Sequence, residues 1–226
     1  MIEPSISVVL PVGTPQGPLE GLLQAYALEL DALGRGWEML LVPSTSAPWS
    51  PSANPDTDAE RIRVLAPASG WGAAVRSGLR ASAGDLLCYT SWHRTPAVAL
   101  GEMLKLASNN RELVLRANRR TRDTRIQRLG SLLFNVECRL LLQIPAWDVN
   151  GTPKVFPREF RRLLELRSDD DLFDAEFALV CELAGYPVIE VPIDAVLQAD
   201  RAVHTDYRAA LRMYANVPRL RARAAR

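Results

Sequence analysis

The chain has 226 residues, of which 48% are hydrophobic, enough to bury a real core in one α/β domain with at most a small appendage. A net charge of +1 gives no overall reason to expect nucleic acid as a partner. Cys88, Cys138 and Cys181 are odd in number and lack metal-ligand spacing, so they read as buried free thiols suited to a reducing cytoplasm. Met1-Ile-Glu-Pro lacks the basic start of a signal segment, and no apolar run reaches the ~18 residues of a membrane span.

The elements follow in chain order. Ile6–Pro11 is a short β-branched run that reads as a buried strand. Leu19, Leu22, Leu23, Tyr26, Leu30 and Leu33 recur at helical spacing and predict a helix over Gly17–Leu33. Trp37–Val42 is a second strand, and Arg61–Leu65 a third, short one, after a loop of Pro, Ser, Ala and Thr. Gly70-Trp-Gly72 turns into a helix, Asp85–Tyr89 is a fourth strand, Pro96–Ala107 a helix and Glu112–Arg116 a further strand. Arg125–Gln143 carries the pattern of a long amphipathic helix. Val155–Phe156 is a short strand, Pro157–Leu166 a helix begun by proline, Phe173–Ala184 a helix and Pro187–Pro192 the last strand. A basic helix is expected from Asp206 onward. Strands alternating with helices predict a doubly wound, mostly parallel sheet, whose ligands bind beyond the carboxyl ends of the strands.

Several stretches carry polar groups worth weighing. Asp148-Val-Asn150-Gly-Thr-Pro-Lys154 stands out because Lys105 and Lys154 are the chain's lysines among many arginines. A compact ammonium at Lys154 suits phosphate charge, while Asp148 and Asn150 either join it in a cleft or merely close a turn on their own backbone. Arg119, Arg120 and Arg125 belong to an arginine-rich segment. Guanidinium forks there could hold phosphate oxygens, or pair with nearby acids on a solvated surface. Asp174 and Glu176, two apart on a helix, cannot share a face; one can meet a cleft while the other packs or caps.

Ser7-Val-Val-Leu-Pro11, Gly70-Trp-Gly72-Ala-Ala-Val-Arg76-Ser-Gly78-Leu79, Ala83-Gly84-Asp85, Phe134-Asn135, Asp148 through Phe156, and Phe173-Asp174-Ala-Glu176 with Gly185 through Pro192 together resemble the family-2 glycosyltransferases of the GT-A fold. The nearest branch is the polyprenyl-phosphate sugar synthases of the dolichyl-phosphate-mannose type. The resemblance covers about residues 5–195. It implies a Rossmann-like GT-A domain over residues 1–200, followed by a basic helical tail over 201–226. It also implies transfer of a sugar from a nucleotide donor to a small-molecule or lipid-phosphate acceptor. On it, Asp148, Asp174 and Glu176 are the catalytic candidates. Gly70, Gly72, Arg119, Arg120, Arg125, Asn150 and Lys154 are the donor- or phosphate-binding candidates.

The departures from the family pattern are specific. Gly13-Thr14-Pro15 replaces an Asn-Glu pair, Pro43 and Ser44 replace base-binding aspartates, and Tyr89, Thr90 and Ser91 replace the metal-chelating Asp-x-Asp. Neutral oxygens are weak ligands for a hard divalent cation. The expectation is therefore no metal cofactor, with transfer by a metal-independent route. The alternative is a repurposed or inactive fold that binds a ligand, serves as a scaffold or runs another reaction. The expected location is the cytoplasm, with the arginine-rich tail able to touch the inner face of a membrane.

Overall fold

The computed structural model describes residues 6–13, 19–44, 61–119, 132–194, 216–217 and 220–221. Seven strands form one sheet in the order β3-β2-β1-β4-β6-β5-β7. They are β1 (Ile6–Val12), β2 (Trp37–Pro43), β3 (Ile62–Val64), β4 (Leu86–Tyr89), β5 (Val114–Arg119), β6 (Lys154–Pro157) and β7 (Val188–Ile193). β6 runs antiparallel to both β4 and β5; every other pairing is parallel. The central strands are mostly apolar because helices cover both faces, and the polar residues they carry are buried or half-buried.

Alternation along β1 shows how one strand feeds two cores. Val8 and Leu10 point to the face covered by α1 (Leu19–Asp31) and α3 (Ala97–Asn109), where Tyr26, Leu30, Leu100 and Leu104 meet them. Val9 points the other way, toward α2 (Trp71–Ala81) and α4 (Phe173–Ala184), against Val75, Leu79, Phe173 and Phe177. A third cluster lies outside α4. There a helical segment at 132–137, continued by a π-helical turn at Cys138–Leu142, buries Phe134, Cys138 and Leu142 against Ala175, Ala178, Leu179, Val217 and Leu220.

Three expectations differ from the observed elements. The helix expected over Pro157–Leu166 shrinks to a 3-10 turn at Arg161–Leu164, because Pro157 ends β6 opposite Leu86. The Arg158 guanidinium then pins the following turn to the carbonyls of Gly84 and Ser82 at 2.6 and 2.9 Å. The strand expected at Glu112–Arg116 begins later and runs to Arg119, paired along its length with β7. Of the long helix expected over Arg125–Gln143, the part before residue 132 lies outside the described residues, and the rest stops at Gln143 in the left-handed region, with φ 59°. The basic tail expected at 201–226 also lies outside them, except for Asn216, Val217, Leu220 and Arg221.

Candidate functional site

Register places four polar side chains in one line across the sheet. Tyr89 of β4 lies opposite Lys154 of β6, Lys154 opposite Arg116 of β5, and Arg116 opposite Glu190 of β7. Opposed residues of paired strands share a face, so all four side chains point toward α4. The first turn of α4 closes on them. Asp174 accepts a hydrogen bond from the Tyr89 hydroxyl at 2.8 Å and binds the Lys154 ammonium through the same oxygen, Oδ1. Lys154 is fully buried, its Nζ 5.3 Å from the ring centre of Tyr89 and 5.6 Å from that of Phe177. Burial pushes the Lys154 amine down from the usual lysine range, and the attraction of Asp174 opposes that shift. Burial, reinforced by the Asp174 charge, pushes the Tyr89 phenol up.

Two further ion pairs extend the line. Arg116 Nη2 donates to Glu190 Oε1 at 2.8 Å, and the same oxygen accepts the Trp147 backbone N–H at 2.9 Å. Arg119, the last residue of β5, grips Asp148 with two bonds, Nε to Oδ2 at 2.7 Å and Nη2 to Oδ1 at 2.9 Å. Asn135 holds the loop from the other side: its Nδ2 donates to the Trp147 carbonyl at 2.8 Å, and its Oδ1 accepts from the Val149 N–H at 3.1 Å. Three cations (Lys154, Arg116, Arg119) thus face three carboxylates (Asp174, Glu190, Asp148) in one largely buried network. Such charges are sustainable only as pairs, since an unpaired buried ion costs several kcal/mol. Within this network and its loop two buried polar atoms have no partner among the described residues, Arg116 Nε and Asn150 Oδ1.

The predicted site residues separate into two groups. Asp148, Asn150, Lys154, Asp174 and Arg119 belong to this network or its loop. Glu176 does not: its carboxylate accepts the backbone N–H groups of Arg167 at 3.0 and 3.1 Å and of Ser168 at 2.7 Å, which fixes the turn ahead of α4. Gly70 and Gly72 sit against that same turn. A Cβ on Gly70 would strike the Asp169 carbonyl, and one on Gly72 the Ser168 carbonyl and, at 2.9 Å, the Phe173 Cβ. Gly70 also holds φ at 97°, where a side chain is strained. The Ala73 N–H at the start of α2 donates to the Asp169 carbonyl at 3.0 Å. Both positions therefore require glycine because the Ser168–Asp169 backbone packs where a side chain would stand. Arg120 and Arg125 lie outside the described residues.

Arg116, Glu190 and Tyr89 are the members that sequence reasoning passed over. A signal existed: Arg116 and Glu190 each interrupt an apolar strand, and a charge inside such a run needs a partner on a neighbouring strand. Tyr89 drew notice only as a replaced metal ligand.

The architecture defines the class first: this is the GT-A form of the Rossmann-like α/β fold. No protein-family model matches the sequence, and no curated protein matches it. Similar solved structures include several of glucosyl-3-phosphoglycerate synthase from Mycobacterium tuberculosis. One, with Mn2+, UDP-glucose and phosphoglyceric acid, has a TM-score of 0.71 at 16% identity over 97% of this chain and 80% of that one. Another, with Mg2+ and UDP, gives 0.72 at 15% identity over the same shares. A third, with phosphoglyceric acid, gives 0.73 at 15% identity.

These structures correct the expectation of no metal cofactor, since related folds hold Mn2+ or Mg2+ together with the nucleotide. Phosphate oxygens supply part of such an ion's coordination, so missing strand-end carboxylates are a poor measure of metal use. The described residues alone do not compose the ion's site. Among them no three His, Cys, Asp or Glu side chains converge, and the hydroxyls of Tyr89 and Thr90 are engaged with Asp174 and Thr95.

Proposed function

We propose that this protein is a nucleotide-sugar glycosyltransferase acting on a phosphorylated acceptor. The observation that carries the reading is the GT-A fold, matched over 97% of the chain by structures that hold a UDP-sugar and a phosphorylated three-carbon acid. The acceptor side of the reading rests on the loop between Trp147 and Lys154. Glu190, Asn135 and Arg119 hold that loop from three directions, which supports a preorganised wall for a ligand. Asp148 is our choice for the carboxylate nearest the acceptor, and Asn150 offers an acceptor oxygen that no described residue uses. Lys154 and Asp174 back that wall from beneath. A small phosphorylated acid is the first acceptor to try, and a lipid phosphate the second.

A second reading has its own support. Lys154 and Arg119 are already bonded by Asp174 and Asp148. A GT-A fold whose cations neutralise its own acids suits a ligand-binding protein without turnover. One experiment separates the readings. UDP-glucose, GDP-mannose and their nucleotides are tested by thermal shift with Mn2+ and with Mg2+, and UDP or GDP release is then followed with 3-phosphoglycerate present. Stabilisation with release supports transfer, and Asn150→Ala then lowers kcat/KM by about tenfold, the worth of one hydrogen bond to substrate. Stabilisation without release supports the binding protein. Neither response rejects both.

A further inference from the structure

Beyond the candidate site, the strongest surface anomaly lies along residues 132–147. Twelve large hydrophobic side chains are exposed among the described residues, and six fall in these sixteen positions: Leu132, Leu133, Val136, Leu140, Leu141 and Trp147. That clustering is not the scatter of single apolar residues normal on a surface. The most exposed are Leu140 at 74% and Trp147 at 69%. Every other exposed position of the segment, Gln143 and Pro145, is uncharged as well. The opposite side is ordinary core, with Phe134, Cys138, Leu142, Ile144 and Ala146 buried against α4 and Leu220.

Among the described residues of this face the charges are two arginines and one acid. Arg139 lies with its guanidinium 4.2 Å from the Trp147 ring centre and donates to the Ala146 carbonyl. Arg221 is exposed at the far end, donating to the Leu141 carbonyl and to Gln143 Oε1, each at 3.1 Å. Glu137 is the acid of the segment. It is half-buried, and burial pushes its carboxyl up toward the neutral form.

We propose that the exposed face of residues 132–147 docks on an anionic membrane surface. Aliphatic side chains and an indole enter the headgroup boundary, while Arg139 and Arg221 meet lipid phosphates. The structure favours this occupant over a second copy of the chain. The exposed positions of 132–147 carry no acid, so the same face of a second copy would bring none to meet Arg139 and Arg221, whereas lipid phosphates would. None of the described helices is long and apolar enough to cross a membrane, so the contact is with the surface. The proposal is independent of sugar transfer, and its test needs no nucleotide.

The full chain is sedimented with vesicles of three parts phosphatidylcholine to one part phosphatidylglycerol, and with phosphatidylcholine alone. The protein is expected to pellet with the anionic vesicles and less with the neutral ones, and to be released by raised salt. Leu133→Asp with Leu140→Asp is expected to cut partitioning by about tenfold or more, and Arg221→Glu by a few-fold. These side chains are exposed, so an unchanged melting temperature certifies the fold. The proposal is overturned if the unaltered chain stays in the supernatant with anionic vesicles, or if the folded double variant pellets equally well. It is also overturned if light scattering shows a dimer that the double variant converts to monomer.

Discussion

Replacing Lys154 by methionine keeps the length of the side chain and removes its charge. Asp174, 5% exposed, is then left with only the Tyr89 hydroxyl as a partner, where before it also held the ammonium. Breaking one half of a buried pair costs about 3–5 kcal/mol, because the remaining ion is uncompensated. In a domain of this size each kcal/mol moves the melting temperature by about 2–4 °C, so Lys154→Met should lower it by roughly 10 °C. Removing both charges tells a different story. Lys154→Met with Asp174→Leu leaves neither member of this pair as an unpaired buried ion, and the net loss should fall to about 1–3 kcal/mol, the cost of the unpaired Tyr89 hydroxyl. Adding Tyr89→Phe should recover most of that remainder. Thermal and urea unfolding of the single, double and triple variants gives the cycle directly. A single variant that melts within a degree of the parent, or a double variant whose loss is the sum of the singles, refutes the buried-network argument.

Three other outcomes follow from the same structure. Burial pushes the thiols of Cys138 and Cys181 up to about 12, and that of Cys88 up as well. A raised folded value means stability is complete below the unfolded thiol value near 8.5 and is lost as pH rises above it, by about 1 kcal/mol per thiol per pH unit. Lys154, lowered in the fold, works in the opposite sense but is one group against three. Urea midpoints should therefore fall between pH 9 and 10, and Cys138→Ala with Cys181→Ala should flatten the slope; an unchanged slope contradicts the assignment. Gly72→Ala should destabilise by about 2 kcal/mol or more, because its methyl group meets the Ser168 backbone rather than a flexible side chain; a neutral effect on urea unfolding would deny that contact. Glu176→Ala should unlatch the 167–168 turn and cost about 2–4 kcal/mol, read as lost hydrogen-exchange protection at the Arg167 and Ser168 amides; retained protection would show that another group holds the turn.

The sheet was legible in the sequence because its strands are apolar runs punctuated by Gly and Pro, and each helix repeats Leu or Ala at its own period. The antiparallel insertion of β6 was not, since Lys154–Pro157 is four residues long and carries no direction in its composition. At the site, Asp148, Lys154 and Asp174 stood out as polar residues in an ordered series. Their partners did not, because pairing across β4, β6, β5 and β7 joins residues as much as 74 positions apart in the chain, and the Tyr89–Asp174 bond to α4 spans 85. Gly70 and Gly72 carry two readings at once. A glycine pair before a helix reads as a phosphate loop, yet the same feature equally marks a close backbone approach, and the Ser168–Asp169 turn supplies one. Glu176 was visible as an acid near a helix start, but its bonds to two preceding amides depend on how residues 167–172 fold back.

The most direct test of the central claim is binding of a nucleotide sugar to the intact chain. Titration with UDP-glucose and GDP-mannose in the presence of Mn2+, followed by calorimetry and by melting temperature, should show saturable heat and a melting point that climbs with the logarithm of ligand concentration. A chain whose melting point and heat signal stay flat with every nucleotide sugar, with either Mn2+ or Mg2+, would contradict it.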